Sequence, residues 1–414
     1  MRYVTLLLGF LLLAPQAHAA RIFQTGAELN STTAGMEVTS VDGTGASVSS
    51  TNVRSGNYVW RSNNSGNTSG ITQRLSGNDV FTPGYLRVYF YFATLPSVKQ
   101  RIMQFNTAAN LLSARVDIYT DGKLVLMNSS SVAIGTSTLA LQTNRWYRLE
   151  LKDDPTLNPG KLELRVDGVT VVKGDSDSQA GWARVRVGPN LNNSVTDVYY
   201  DDIAVNTSSG TSQNSWPGDG KLVLLSPNAA GDSNQWLDTV GGAGTTNNYT
   251  LVDEIPPNNA TDFVNSGTLN DTDWYGISPM SAVRRINVVS VHGRLTNNTA
   301  DATTAAKWQI QKISGGTVSQ GTAVIPNSTT WCTDGNSTTI WQNILTLYND
   351  PDGQPWTWQT LQTAQIGPKI TASNANRIQV SSMWVYVDYS DLSSGVYIQT
   401  KGLFQLLKGL FVIL

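Results

Sequence analysis

A single cysteine, Cys332, stands in 414 residues. No intrachain disulfide can form, so stability has to come from apolar cores. Histidine is almost as scarce: with His18 inside an N-terminal leader, His292 is the only one left in the rest of the chain. A Ser-His-Asp triad would have to use that residue, and a His/Cys zinc site has at most one of each. His292 alternates with valines in VVSVHGRL and reads as a strand residue satisfied locally, which argues against histidine-based catalysis and zinc chemistry. Glutamate occurs only as Glu28, Glu37, Glu150, Glu163 and Glu254. Charged residues make up 14% of the chain, the formal net charge is −2, and no long basic run occurs. That leaves no electrostatic footprint for nucleic acid.

What is present is Gly, Ser, Thr and Asn between short apolar runs, the composition of an all-β protein with many turns. The length suits two domains of middling size. Residues 1–19 read as a secretory signal peptide: basic Arg2, an apolar core from Val4 to Ala14, and a small-residue box at Ala17-His18-Ala19. That apolar run is short of the roughly 20 residues needed to span a bilayer. The expected location is therefore extracellular or at the cell surface.

The clearest pattern runs from Trp146 to Val172. In WYRLELK, Tyr147, Leu149 and Leu151 share one parity, and Arg148, Glu150 and Lys152 the other; KLELRV repeats the scheme before Asp167-Gly168 turns into VTVV. Period-two alternation is what a strand needs when one face is buried and the other wet. Asp-Gly supplies the positive backbone angles of a two-residue hairpin. YLRVYFYF (85–92), ARVDIYTDGKLVLM (114–127), ARVRVG (183–188) and YYDDIAV (199–205) continue the theme. The expected fold is two antiparallel β-sandwich, jelly-roll-like domains: 21–206, a polar linker at 207–215, and 216–392. The second unit holds nine of the twelve tryptophans, which read mainly as large core fillers. The tail 393–414 carries Leu403, Phe404, Leu406, Leu407, Leu410 and Phe411 at helical spacing, with the polar Lys401, Gln405 and Lys408 interspersed. Three readings stay open for it: membrane contact through an amphipathic interfacial helix at 401–414, a cap on the second domain, or a terminus altered by gene calling.

TNRWYRLELKDDPTLNPGKLELRVDGVTVV resembles the central signature of laminin-G-like, concanavalin A-like jelly rolls, and SGNYVWR and YYDDIAV resemble that family's flanking strands. The resemblance covers about residues 21–206. It implies the fold and leaves function open, because the superfamily holds lectins, adhesion modules, hydrolases and lyases. In the second unit, SPNAAGDSNQW, LVDEIPPNNATDFV and DPDGQPWTWQTL are similar to modules of virion-associated or metagenomic surface proteins, a likeness that implies no activity.

Hydrolases of this jelly-roll class commonly carry E-x-D-x-E on one strand, and the sequence has none. Glu150 and Glu163 are expected to form charge pairs on a wet face. Glu254, beside Asp253, reads as a loop carboxylate. No cofactor is expected. Calcium is the ionic alternative, with hard oxygens at Asp201-Asp202, Asp175-x-Asp177 and Asp271-x-Asp273, though none continues as an EF-hand. Parity also predicts a polar face carrying Tyr85, Arg87, Tyr89 and Tyr91, with Arg115, Asp117, Tyr119, Arg184 and Arg186 in the same situation. As neighbours on one sheet they would form a groove of aromatic platforms and hydrogen-bonding groups suited to sugars. Tyr and Arg also suit exposed strands by propensity alone, so both readings stand. The leading expectation is a secreted, non-catalytic surface or adhesion protein. Its first domain would bind glycan or another extracellular ligand, such as a surface protein. A virion-like or envelope-layer assembly component is the alternative, and a polysaccharide-active hydrolase or lyase the third.

Overall fold

A computed structural model describes residues 20–65, 69–176, 180–189, 195–238, 247–259, 261–280, 284–300, 303–326, 329–335, 341–374 and 376–391. Residues 1–19, read as a signal peptide, Asp177, and residues 392–414, which include the tail, lie outside these residues. Alternation becomes sheet where it was read. Leu149, Leu151, Leu162, Leu164 and Val166 join Leu86, Val88, Phe90 and Phe92 in one buried core. Asp167 (φ 51°) and Gly168 (φ 86°) both take the left-handed conformation that closes the tight hairpin.

Four antiparallel sheets result, and the chain is all-β. The first runs Val169–Asp175, Lys161–Val166, Trp146–Asp154, Gly84–Thr94, Val195–Thr207, Val59–Ser65, Ala46–Ser49, with Arg21–Thr25 paired to the second half of Val195–Thr207. The second runs Ala133–Ala140, Lys123–Met127, Leu112–Ile118, Gln100–Asn106, Arg184–Val187, Gly70–Arg74, Ser40–Asp42. Their inner faces share a single core in which Trp60, Trp182 and Tyr200 are fully buried. Gly84 lies under Trp182, where an added Cβ would come within 2.6 Å of the indole. Only glycine lets that strand pass so close to the ring.

The third sheet centres on two long strands, Arg285–Asn297 and Ile378–Ser390, flanked by Lys221–Leu225 and Cys332–Thr333. The fourth runs Pro227–Asn234, Asp273–Ile277, Gln365–Ala372, Ala305–Gln311, Val318–Gln320. They enclose a second core around Trp236, Trp308 and Trp356, so these tryptophans fill space as composition suggested. Cys332 is buried and unpaired with any other sulfur.

The outer face of the first sheet packs against the third. Arg21 and Arg87 both reach Asp388, at 2.7 and 3.0 Å, and all three side chains are essentially inaccessible. Gln24 donates to Ser290 Oγ at 2.7 Å, and Leu29 packs with Trp384 and Tyr386. The segment after residue 207 lies over the same face: the Gly218 N–H donates to Glu150 Oε1 at 2.8 Å, and Trp216 meets Tyr85 edge-on at 5.3 Å. Glu150 was expected on a wet face. It is instead 1% exposed, because parity reports the side of a sheet and not what covers that side.

Candidate functional site

The nine residues expected to form one groove fall on two opposite faces. Tyr85, Arg87, Tyr89 and Tyr91 project from the Gly84–Thr94 strand of the first sheet, whereas Arg115 and Asp117 belong to the second sheet with Arg184 and Arg186. The first group does not form an open platform. Arg87 is 0% exposed and donates to Asp388 and to the Asp202 and Gly218 carbonyls; Tyr89 donates to Asp219 and lies beneath the Arg54 guanidinium, 3.3 Å from its ring centroid. Burial pushes the Tyr89 hydroxyl up to about 12 against the pull of Arg54 and Arg87. Only Tyr91, half-buried, stays beyond this cover, beside Trp146 (5.6 Å) and Tyr199 (5.9 Å).

The second group does assemble. Register places Thr72, Arg186, Gln104, Arg115 and Met127 in one row across five neighbouring strands. Adjacent rows hold Arg101 opposite Asp117, which faces Val125, and Arg74 opposite Arg184, which faces Asn106. At about 4.8 Å between strands, the row spans a length suited to several units of an extended chain. Tyr119 continues the parity of Arg115 and Asp117 just past the strand end and is half-buried.

Electrostatics set this face apart. Asp117 is fully buried, 3.0 Å from Arg115 Nε and 3.7 Å from Lys99 Nζ. Burial raises its carboxyl pKa more than Arg115, Lys99 and Arg101 lower it. Arg115 also donates to Ser131 Oγ at 3.0 Å, Arg186 pairs with Asp42 at 2.7 Å, and Arg184 donates to the Ala108 carbonyl at 2.8 Å. Burial lowers the pKa of Arg101 and of Arg184, with Arg115 acting the same way on the first and Arg74 on the second, and the Nε of each has no hydrogen-bond partner. Six cationic side chains (Arg74, Lys99, Arg101, Arg115, Arg184, Arg186) thus meet two carboxylates, Asp42 and Asp117, in a chain whose net charge is negative. Lys99, Arg101 and Gln104 were not singled out in the sequence. RIMQFN carries an irregularity between Arg101 and Met103 that hides the alternation.

Two carboxylates once read as calcium ligands sit in a bulge of the Val195–Thr207 strand, where Asp202 takes φ 50°. Asp201 accepts the N–H groups of Arg54, Ser55 and Asp202, while Asp202 holds Arg54, Ser55 and the Leu222 N–H. Asp201 is raised by burial, then by Asp202 and Glu28. Asp273 accepts from Gln235, Trp236, Asn248 and Tyr275, Asp271 from Ser266, and Asp175 pairs with Lys161. Among the described residues no group of three or more His, Cys, Asp or Glu side chains is arranged to hold a metal ion.

His292 keeps local partners, and their order was not visible in the sequence. Its Nε2 lies 2.6 Å from Ser290 Oγ, and its Nδ1 contacts the Asp334 carboxylate, which also accepts from Trp308 Nε1. The sequence of groups is that of a nucleophile, base and orienting acid. Ser290 is nevertheless 0% exposed, bonded to Gln24 of the other sandwich, and the imidazole is stacked on Trp384 at 5.5 Å. A nucleophile needs room for a substrate carbonyl about 3 Å away, and the cavity beside His292, lined by Gln24, Trp384 and Tyr386, holds only about 10 Å³.

The sheets define an all-β protein of two antiparallel sandwiches. No family model and no curated sequence matches the chain. Among solved structures it is similar to the cellulose induced protein Cip1, at 14% identity over 48% of this chain and 94% of that one, TM-score 0.34. It is also similar to the alginate lyase from Corynebacterium sp. (11% identity, 39% and 80% coverage, TM-score 0.31). A third likeness is to domain 4 of AbnA, a GH43 extracellular arabinanase from Geobacillus stearothermophilus in complex with arabinotriose (14%, 46% and 84%, TM-score 0.30).

Proposed function

We propose that this chain is a secreted, non-catalytic surface protein whose N-terminal sandwich, a laminin-G-like jelly roll, binds an acidic polysaccharide on the outer face of the second sheet. The observation that carries the reading is the cluster of six cations there, with Arg101 and Arg184 each keeping a donor unsatisfied. Guanidinium groups recognise carboxylates and sulfates through paired N–H donors. Tyr119, half-buried, adds a hydroxyl able to meet those of a sugar, whereas Gln104 and Asn106 are nearly buried. Catalysis is not part of the proposal, because neither E-x-D-x-E nor an accessible base has been identified on this face.

Retention on polygalacturonate or alginate, compared with neutral dextran, tests it. The double variant Arg101→Ala/Arg184→Ala is expected to weaken binding by about ten- to a hundredfold, the worth of a lost hydrogen bond to a charged group. Added salt should weaken it further. Tyr89→Ala should lower the melting temperature and leave retention intact, since Tyr89 faces the second sandwich. Equal binding of dextran, or an unaffected double variant, would remove the acidic-glycan reading. Filaments or closed oligomers without glycan retention would favour the assembly alternative, and release of new reducing ends would make the protein an enzyme.

A further inference from the structure

Of the two carboxylates on the second-sheet face, Asp117 is shut off from solvent (0% exposed), whereas Asp42 is not (21%). On its own strand, Leu112–Ile118, Arg115 stands two positions before it, and Tyr119 follows two positions after. From the Gln100–Asn106 side it meets Arg101 and, just ahead of that strand, Lys99. From the other side comes the uncharged Val125, with Lys123 two positions away and held by Asp121 at 3.3 Å. Arg186, paired with Asp42, acts on Arg101 from the next strand.

Three cations around one carboxylate ordinarily hold it ionised. Here Arg115 Nε lies 3.0 Å away and Lys99 Nζ 3.7 Å, yet that Nε and both Asp117 oxygens lack hydrogen-bond partners. A carboxylate buried without hydrogen bonds recovers little of the solvation it lost. Burial accordingly pushes the Asp117 carboxyl above its ordinary 3.8, further than Arg115, Lys99 and Arg101 pull it down. With Asp117 ionised, these three cations carry two net positive charges, and with Asp117 protonated they carry three. Lys99 is 39% exposed and Arg101 is half-buried, so the change is felt where a polyanion would lie.

We infer that Asp117 is a buried, proton-binding counter-charge that regulates the acidic-polysaccharide site: ionised, it restrains the cations beside it, and protonated, it releases them for the polymer. The polymer need not touch Asp117, because the coupling runs through the field of Lys99, Arg101 and Arg115. Linkage makes the effect reciprocal. A bound polyanion favours the protonated carboxyl, so binding takes up protons and tightens as pH falls. The inference rests on the acidic-glycan reading of the same face and adds its regulation.

Dextran sulfate is the probe, because its sulfates stay ionised as carboxylates take up protons. Calorimetric titration of the full chain from about pH 7 to about pH 4, at fixed ionic strength and in buffers of different ionisation enthalpy, should show tightening accompanied by proton uptake. Asp117→Asn should bind about three- to tenfold more tightly at neutral pH and lose most of the pH dependence. Asp42→Asn should keep it. Lys99→Met removes a cation from beside Asp117 at an exposed position, so binding should weaken overall and the tightening should begin at higher pH. That variant decides the matter if Asp117→Asn does not fold. A wild-type pH slope in folded Asp117→Asn, no proton uptake by the unaltered protein, or an unmoved onset in Lys99→Met would overturn the inference and leave the polysaccharide reading standing. No binding of dextran sulfate by the unaltered protein at any pH would remove both.

Discussion

Glu28 carries the largest readable consequence of any single residue. It is 2% exposed, accepts the Asn57 N–H at 2.9 Å and the Tyr58 N–H at 3.3 Å, and sits near Glu37 and Asp202. Burial pushes its pKa from the ordinary 4.5 up to about 8, overriding those N–H donors. The folded state therefore binds a proton that the unfolded chain releases. Stability is fully present below pH 4.5 and is lost as pH rises through about 8, at up to about 1.4 kcal/mol per pH unit. Glu28→Gln is expected to flatten this decline and to raise the melting temperature above pH 8, read from thermal melts across the window. Repeating the series with calcium tests the ion alternative. A dication between Glu28 and Asp201 would favour both ionised carboxylates and reverse the slope.

At the scale of elements, the Trp146–Asp154 and Lys161–Val166 strands and the turn that follows them follow from local rules. Gly168 stands at φ 86°, where a β-branched side chain is strained. Gly168→Val should cost about 1–2 kcal/mol, seen as a lower urea midpoint with an unchanged slope. This hairpin was legible because alternation, turn residues and core face all lie within one short stretch. The Asp201-Asp202 bulge was not. Its two carboxylates are organised by Arg54 and Ser55, 147 positions away in sequence, and by Leu222, 20 positions on. The second-sheet face was half legible. Arg115, Asp117, Arg184 and Arg186 show by parity, but only pairing through the Gln100–Asn106 strand makes them neighbours.

For the whole molecule, the decisive contact is Asp388 between Arg21 and Arg87. Burial raises the Asp388 pKa, but Arg87 and Arg21 outweigh it and hold the carboxylate below its usual range. Asp388→Asn would leave two guanidinium groups buried without a counter-charge, at a cost of about 3–5 kcal/mol. Chemical denaturation should show the loss, with the two sandwiches melting in separate transitions once their contact is weakened. A single unshifted transition would show that the apolar cluster of Leu29, Trp384 and Tyr386 carries the interface by itself.

Strand periodicity, turn chemistry and the scarcity of Cys, His and Glu determined an all-β chain without disulfides, because each of these depends on neighbours a few residues apart. Parity also told core side chains from outward ones on both sheets of the first sandwich. Which outward face meets solvent was decided only by tertiary structure. Arg87 and Glu150 have the alternation of wet residues, yet they lie under the second sandwich and the segment that leads to it. Alternation records the direction a side chain takes from its own sheet. What it meets there depends on strands and a partner sandwich hundreds of residues away.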